Sequence, residues 1–390
     1  MSIFKKVHDR TNTRSVKWDL RETIFQANDV LPMWVADMDF QAPQAVNDAL
    51  IERAKHGIYG YTVIDDDVRN AIISWISKRH NWDIQGDWLS FSSGVVASLH
   101  MAVQAFTEPG DGILIQTPVY TPFYSVIESH DRKVVKNPLQ QNDRSYQIDF
   151  ADFEEKLKTG VKAFILCSPH NPVGRVWTED ELKEMARLCL KHDVIILSDE
   201  IHADLIYPGE THTPIASLSD EIAAQTITFM SPSKTFNLAG LQASYIITTD
   251  KQKRDLLDNQ LNNQGHHMIN AMGNTALEAA YQYGEEWLDE LRTVLKENKA
   301  YVIERLEGET NKLKVTRSEG TYLLWIDCSE LGMNSKKLKT FMSRTAGVGL
   351  NTGADYGEEG EFFMRMNIAC PRETLQVGVE RIIKAINNHQ

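Results

Sequence analysis

From about residue 86 onward, the chain alternates between short apolar runs and longer stretches in which apolar residues recur at helical spacing. The apolar runs predict strands at 88–91, 113–115, 163–167, 194–197, 226–230 and 244–247. Amphipathic helices are expected between them, and the clearest covers 178–192, beginning with the capping-box pair Thr178 and Glu181. Strands without polar alternation that are separated by helices indicate a mostly parallel sheet, covered on both faces.

The pattern changes towards both ends of the chain. The first thirty residues are polar and irregular, and a long helical stretch over 275–306 is interrupted near Gly284. Strands near 322–326 and 362–367 and a final helix over 373–386 follow. We therefore predict an N-terminal arm over 1–44, a large α/β domain over 45–285 and a smaller α+β domain over 286–390. The arm is expected to pack against the small domain or a partner subunit.

Composition narrows the class of protein. The 390 residues are enough for two domains, and the formal net charge of −13 argues against a broad nucleic-acid-binding surface. The sequence shows neither a signal segment nor an apolar run of about 18 residues, so nothing in it indicates a membrane protein. The four cysteines lack CxxC spacing and are too few for a disulfide framework. We expect a soluble, cytoplasmic protein that binds neither nucleic acid nor membranes.

Five of the predicted strands end in residues suited to binding or catalysis. The segments that follow them are Ser92-Ser93-Gly94-Val95-Val96, Thr117-Pro118-Val119-Tyr120, Ser168-Pro169-His170-Asn171, Ser198-Asp199-Glu200-Ile201-His202 and Ser231-Pro232-Ser233-Lys234. Ligands of open parallel sheets bind beyond the carboxyl ends of the strands. We therefore expect Gly94, Tyr120, Asn171, Asp199 and Lys234 to line one site.

Several of these segments also have a simpler structural interpretation. A Ser-Ser-Gly segment before a helix is often only a cap, and Asn-Pro-Val-Gly at 171–174 is an ordinary turn sequence. Asp199, Glu200 and His202 resemble part of a metal site, but a second His or Cys at ligand spacing is missing, so no metal is expected. The chain has no GxxxxGK[ST] motif, which excludes a phosphate-binding loop of the NTPase type.

Four ordered motifs resemble the fold-type I pyridoxal-phosphate enzymes of the class I/II aminotransferase family. They are Asn171-Pro-Val-Gly174, Asp199-Glu-Ile-His202, Ser231-Pro-Ser233-Lys234-Thr and Arg365-Met-Asn-Ile-Ala. The segments PMWVADMD at 32–39 and Gly60-Tyr61-Thr62 are closer still to the MalY/PatB-type cystathionine β-lyases, also called cysteine C–S lyases. The resemblance covers nearly the whole chain. It implies the α/β fold of PLP-dependent transferases and pyridoxal 5'-phosphate as the cofactor.

The resemblance also implies roles for individual residues. Lys234 would carry the cofactor as a Schiff base and act as the base at the substrate Cα. Asp199 would pair with the pyridine nitrogen, Asn171 would donate a hydrogen bond to the ring 3'-oxygen, and Tyr120 would stack on the ring. Arg365, together with Asn171, would bind the substrate carboxylate. The phosphate would be held by backbone N–H groups at Gly94, Val95 and Val96, by the hydroxyls of Ser231 and Ser233, and by Tyr61 of the neighbouring subunit.

Two positions depart from the aminotransferase pattern. His202, still expected at the cofactor, stands where many members have a tyrosine, and Gln242 replaces a phosphate-binding arginine. Both departures favour elimination over transamination. We expect a homodimeric PLP-dependent carbon–sulfur lyase of methionine and cysteine metabolism. It would cleave cystathionine or another amino-acid thioether to a thiol, pyruvate and ammonia, with Lys234, Tyr61 and Tyr120 as catalytic residues. An amino-acid aminotransferase and a regulatory protein with residual lyase activity are the alternatives.

Overall fold

The computed structural model describes residues 2–266 and 268–389. Its strands are β1 (Leu31–Pro32), β2 (Leu89–Ser92), β3 (Gly112–Thr117), β4 (Lys133–Pro138), β5 (Gln140–Asn142), β6 (Ser145–Gln147), β7 (Val161–Cys167), β8 (Ile195–Asp199), β9 (Thr226–Met230), β10 (Ser244–Ile247), β11 (Lys314–Val315), β12 (Leu323–Asp327), β13 (Val348–Gly349), β14 (Asn351–Thr352) and β15 (Phe363–Asn367).

The α-helices are α1 (Val16–Asp19), α2 (Arg21–Phe25), α3 (Gln44–His56), α4 (Asp66–His80), α5 (Val95–Phe106), α6 (Pro122–Glu128), α7 (Phe150–Leu157), α8 (Glu179–Lys191), α9 (Asp220–Gln225), α10 (Pro232–Thr235), α11 (Lys251–Asn263), α12 (Ala271–Tyr283), α13 (Glu285–Thr310), α14 (Ser335–Thr340) and α15 (Arg372–Asn387). Short 3-10 turns occur at Ile3–Lys5, Gly86–Trp88, Ile215–Ser217, Ala239–Leu241, Ser329–Leu331, Gly353–Tyr356 and Glu358–Gly360, and a π-helical turn at Phe341–Thr345. No helix in this described part of the chain is long and apolar enough to cross a membrane.

Seven strands form the central sheet, in the order β2-β10-β9-β8-β7-β3-β4. Strand β10 is antiparallel to β2 and β9, and the other neighbouring pairs are parallel, which confirms the mostly parallel sheet. All six strands predicted for this region are present, with ends within two residues of those predicted. Strand β4 at the edge was not predicted, because lysines at 133 and 136 interrupt its apolar run.

Helices cover both faces of the central sheet. Successive residues of β3 belong to different faces: Ile113 packs in the cluster of Leu99 on α5, and Leu114 in that of Leu182 on α8. All of these side chains are fully buried. Because both faces are covered, the strands lack polar alternation, and ligands can reach the sheet only at its ends.

A second, antiparallel sheet has the order β11-β12-β15-β14 and packs with α13 and α15. The expected interruption of the long helical stretch is Gly284, which separates α12 from α13. A Cβ atom at this position would collide with the Ala280 carbonyl oxygen and the ring of Phe236. One hydrophobic cluster extends from Phe4 to Ile386, so the boundaries at 44/45 and 285/286 stay a prediction.

The expectation that the first thirty residues are irregular was wrong. They contain the one-turn helices α1 and α2, and the Ser15 hydroxyl caps α1. The arm is held by a buried charge network in which Asp39 lies 2.8 Å from Lys17 and 2.7 Å from Arg10. Burial would raise the pKa of Asp39, but Lys17 and the other hydrogen-bond donors lower it below its usual value. The network thereby fixes the segment that leads up to Asp39.

That segment, residues 34–38, lies against the second sheet. Strand β1 pairs in parallel with β13, and the Asn367 side chain of β15 donates to the carbonyl oxygens of Val35 and Asp37, both at 2.6 Å. The side chain of Asn237, just after α10, holds Met38 through its backbone N–H and carbonyl oxygen. The N-terminal arm thereby reaches the ends of the central strands.

Candidate active site

A cavity of about 230 Å³ opens at the carboxyl ends of the central strands. Ten of the twelve predicted site residues line it: Gly94, Val95, Val96, Tyr120, Asn171, Asp199, His202, Ser231, Ser233 and Lys234. Gln242 and Ala36 also lie in its wall. Of the two remaining predicted residues, Arg365 borders the cavity through a hydrogen bond to Asn171, whereas Tyr61 lies elsewhere.

Lys234 projects from α10, the turn that follows β9, and its Nζ donates to the carbonyl oxygen of Ala36 at 2.8 Å. Burial lowers the pKa of Lys234 to about 8, with a further contribution from the positive charge of Arg365. A lysine of this kind is partly neutral near physiological pH. Its amine can therefore act as a nucleophile and as a base.

Asp199 ends β8 on the floor of the cavity. Burial raises the pKa of its carboxyl to about 7, although a hydrogen bond from the Ile201 N–H at 3.2 Å and the charge of Lys234 oppose this. A buried carboxylate with so little hydrogen bonding is stabilised by a cation placed beside it. Asp199 is thus suited to a positively charged ring nitrogen.

His202 lies beside Asp199 in the cavity wall, with its ring edge-on to Tyr322. Burial lowers the pKa of His202 to about 3, so its imidazole is neutral at physiological pH. Its buried Nδ1 has no hydrogen-bond partner among the described residues. Within the described residues, the neutral imidazole therefore keeps a buried nitrogen that no protein group satisfies.

The start of α5 supplies an anion-binding position. No side chain caps this helix, so its first N–H groups, beginning at Val95, remain available, and space is open around Gly94. The Ser231 hydroxyl, by contrast, donates to the Ala243 carbonyl at 2.7 Å and accepts from the Ser233 N–H at 3.0 Å. Within the described residues of the lining, Lys234 is the one Lys or Arg, since Gln242 replaces the usual arginine.

Arg365 on β15 is a buried guanidinium held by neutral oxygens. It donates to Asn171 Oδ1 at 3.2 Å, and to the Trp34 carbonyl and Asn351 Oδ1 at 2.9 Å. Its buried Nε has no partner, and none of the ion pairs among residues 2–266 and 268–389 includes Arg365. A buried arginine without a carboxylate of its own is suited to bind the carboxylate of a ligand.

The two predicted tyrosines differ in their surroundings. Tyr120 follows β3 in the cavity wall, where burial and then the charge of Asp199 raise its pKa. Tyr61 is 96% exposed, in a loop that lines a separate surface cavity of about 570 Å³ with Arg69 and Asp258. A single chain therefore does not bring Tyr61 to Lys234.

Two groups at Lys234 were not predicted from the sequence. The Ala36 carbonyl oxygen accepts from Lys234, and also from the Tyr322 hydroxyl at 2.9 Å. A backbone acceptor has no side-chain signature, and Tyr322 was included in the strand predicted near 322–326 without any role at the site. The motif PMWVADMD was the one available sign that this segment matters.

The carboxylates of Asp199 and Glu200, at the end of β8, point to different surroundings. The Glu200 carboxylate turns to Ser198 and His212, each at 2.8 Å, whereas Asp199 faces the cavity. In the part of the chain that the structure describes, no group of three His, Cys, Asp or Glu side chains is arranged to hold a metal ion.

Comparison with known proteins agrees with the fold and the resemblance. The family model for aminotransferase class I and II matches residues 28–382. Cystathionine beta-lyase PatB of Bacillus subtilis is 47% identical, over 98% of this chain and 100% of its own. The crystal structure of cystalysin from Treponema denticola, which contains a pyridoxal 5'-phosphate cofactor, is 37% identical with a TM-score of 0.97 and 99% coverage of both chains. The PLP-bound C-S lyase from Staphylococcus hominis is 34% identical with a TM-score of 0.91, covering 98% of this chain and 97% of its own.

Proposed function

The chain belongs to the aminotransferase class I and II family, and we propose that it is a pyridoxal-phosphate-dependent carbon–sulfur lyase. The observation that carries this proposal is 47% identity to cystathionine beta-lyase PatB over nearly the full length of both chains. The reaction splits cystathionine or a related S-substituted cysteine. With one water molecule consumed, the products are a thiol, pyruvate and ammonia.

The residues of the cavity fit this cofactor. The uncapped start of α5 suits its phosphate, the poorly hydrogen-bonded carboxyl of Asp199 suits its ring nitrogen, and Lys234 supplies the amine for its aldehyde. When bound, pyridoxal phosphate acts as an electron sink that makes the Cα–H bond of an attached amino acid acidic. The aromatic ring of Tyr120 and the amide of Asn171 lie in the same wall.

The side chains supply binding and proton transfer. Arg365 and Asn171 hold the α-carboxylate of the substrate, which orients the amino acid before reaction. Lys234, with its pKa lowered to about 8, takes the proton from Cα as a neutral amine. Loss of the thiolate from Cβ then completes the elimination. The residues at 202 and 242, where the aminotransferase pattern has tyrosine and arginine, favour this outcome over transamination.

For Tyr61, the remaining predicted site residue, the proposal requires a homodimer. The loop around Tyr61 also exposes Ile58, Tyr59 and Val63, an apolar surface suited to burial against a second copy of the chain. Tyr61 of one subunit then reaches the phosphate at the site of the other. The four cysteines are buried and free, as is usual in the reducing cytoplasm, where we place the enzyme.

The experiment is to supply cystathionine without any keto acid and to follow pyruvate. We expect steady pyruvate release, lowered at least about a thousandfold in Lys234→Ala, because both the cofactor anchor and the base are lost. Lys251→Ala, at a lysine whose side chain is 76% exposed, is the matched control and should behave as the wild type. Turnover that requires a keto acid would instead identify an aminotransferase.

A further inference from the structure

A buried polar cluster lies behind α10, on the side away from the cavity. The Asp204 carboxylate accepts hydrogen bonds from the Trp75 indole at 3.1 Å and from the Thr235 hydroxyl at 2.8 Å. The His80 ring nitrogen Nε2 lies 3.0 Å from Oδ1, the oxygen that also accepts from Trp75, whereas Thr235 donates to Oδ2. All four side chains are buried, and none lines the cavity. Thr235 is the immediate neighbour of Lys234.

The turn that carries Lys234 depends on such contacts. Helix α10 has four residues, and a helix of that length is not stable by itself. Ser231 anchors its start through Ala243, and Asn237 anchors the chain beyond it through Met38. Within the turn itself, the Thr235 hydroxyl is bonded to Asp204, in addition to the bond from Lys234 Nζ to the Ala36 carbonyl oxygen.

Burying the ionised carboxylate of Asp204 requires more desolvation free energy than a merely structural hydrogen bond to Thr235 would justify. Burial would raise the pKa of its carboxyl, but the hydrogen bond and charge of His80 and the Thr235 hydroxyl keep it below the usual value. A buried ionised carboxylate is tolerated only when its oxygens are hydrogen-bonded in a fixed geometry. Because its bonds are charge-assisted, it holds Thr235 more tightly than a neutral acceptor would.

We propose that Asp204 is a positioning residue for the reaction: acting through Thr235, it fixes the turn that presents Lys234 to the cofactor and to the substrate Cα. This inference rests on the proposed function. His80 and Trp75 hold Asp204 in place and tie the turn to α4. A small displacement of a proton-transfer group is enough to slow the chemical step strongly.

The test uses the holoenzyme and the variants Thr235→Val, which keeps the shape and loses the hydroxyl, and Thr235→Ser, which restores it. Thr228→Val is the matched control, because Thr228 on β9 is also buried and its hydroxyl has no partner among the described residues. Thr235→Ala serves as a smaller deletion if the valine variant does not fold. Two readouts are followed: turnover of α-deuterated and ordinary cystathionine, and the rate at which hydroxylamine strips the cofactor from Lys234.

For Thr235→Val we expect kcat to fall about tenfold or more, KM to stay within about twofold, and the deuterium isotope effect on kcat to rise. Hydroxylamine should strip its cofactor several-fold faster. Thr235→Ser and Thr228→Val should resemble the wild type in both assays.

Unchanged stripping and an unchanged isotope effect in Thr235→Val would overturn the proposal, since a loss of folded protein lowers kcat without altering either. The stripping assay needs no turnover. If the wild type releases no pyruvate, the proposed function fails, while the stripping rates still decide the role of Asp204 and Thr235.

Discussion

Replacing Asp199 by asparagine should have opposite effects on stability and on catalysis. The carboxyl of Asp199 is buried, and its pKa is raised from 3.8 to about 7. A raised pKa means that the folded protein holds this proton more tightly than the unfolded chain. The folded state therefore loses stability as pH rises from about 4 to about 7. Above pH 7, the difference between the two pKa values corresponds to a loss of about 4 kcal/mol in the free energy of unfolding.

Asparagine keeps the shape of the side chain and does not ionise. In the cofactor-free protein, the stability of Asp199→Asn relative to the wild type should therefore increase between pH 5 and pH 8, by roughly 2–3 kcal/mol. Urea unfolding at the two pH values measures this difference. Asp87→Asn, at an aspartate whose side chain is 70% exposed, controls for the general effect of removing a carboxylate.

In the loaded enzyme the same substitution should be harmful. Without the carboxylate beside the ring nitrogen, the cofactor accepts the electrons released at Cα less well, because the protonated ring is no longer stabilised. In single-turnover experiments we expect the variant to lose the Cα proton several hundredfold more slowly. This factor corresponds to roughly 3–4 kcal/mol in the activation free energy. An unchanged rate would refute the electronic role of Asp199, and parallel pH dependences of unfolding would refute the argument from burial.

Three further predictions concern substrate binding, assembly and packing. Arg365→Ala should lower kcat/KM for cystathionine by about a hundredfold or more, since charge-assisted hydrogen bonds contribute about 1.5–3 kcal/mol each. For an amine that lacks the α-carboxylate, the variant and the wild type should have the same kcat/KM. Tyr61→Ala and Lys234→Ala should each be nearly inactive alone but regain activity when the two are unfolded and refolded together; no recovery would contradict a site shared between subunits. Gly284→Ala should lower the free energy of unfolding by about 1–3 kcal/mol, because its Cβ would collide with Phe236, and an unchanged Tm would show that the helix junction adapts.

The central sheet could be predicted because its strands are buried on both faces and so form unbroken apolar runs. Strand β4 escaped prediction because it lies at the edge of the sheet and carries the exposed Lys133 and the half-buried Lys136. Helices α1 and α2 escaped because four or five residues are too few to show a helical period. Their order comes from tertiary contacts such as Lys17 with Asp39, which join positions that no local pattern connects.

The candidate site was predictable to the extent that its residues follow strands. Asp199 and Lys234 were found in this way, and the resemblance supplied their roles. The Ala36 carbonyl was not found, because a backbone oxygen has no signature in the sequence. Asp204 and Thr235 were not found either, since their pairing depends on how α10 packs against the loop after β8.

The hydrogen bonds between residues 34–37 and β15 also bear on the synthesis of the protein. Val35 and Asn367 are 332 positions apart, so the first leaves the ribosome well before its partner has been translated. At about 5–20 residues per second, the delay is on the order of half a minute. During that time the wall containing Ala36 lacks its support from Asn367 and Arg365. The nascent chain therefore cannot complete its substrate site until β15 has been translated, so catalysis has to wait for that strand.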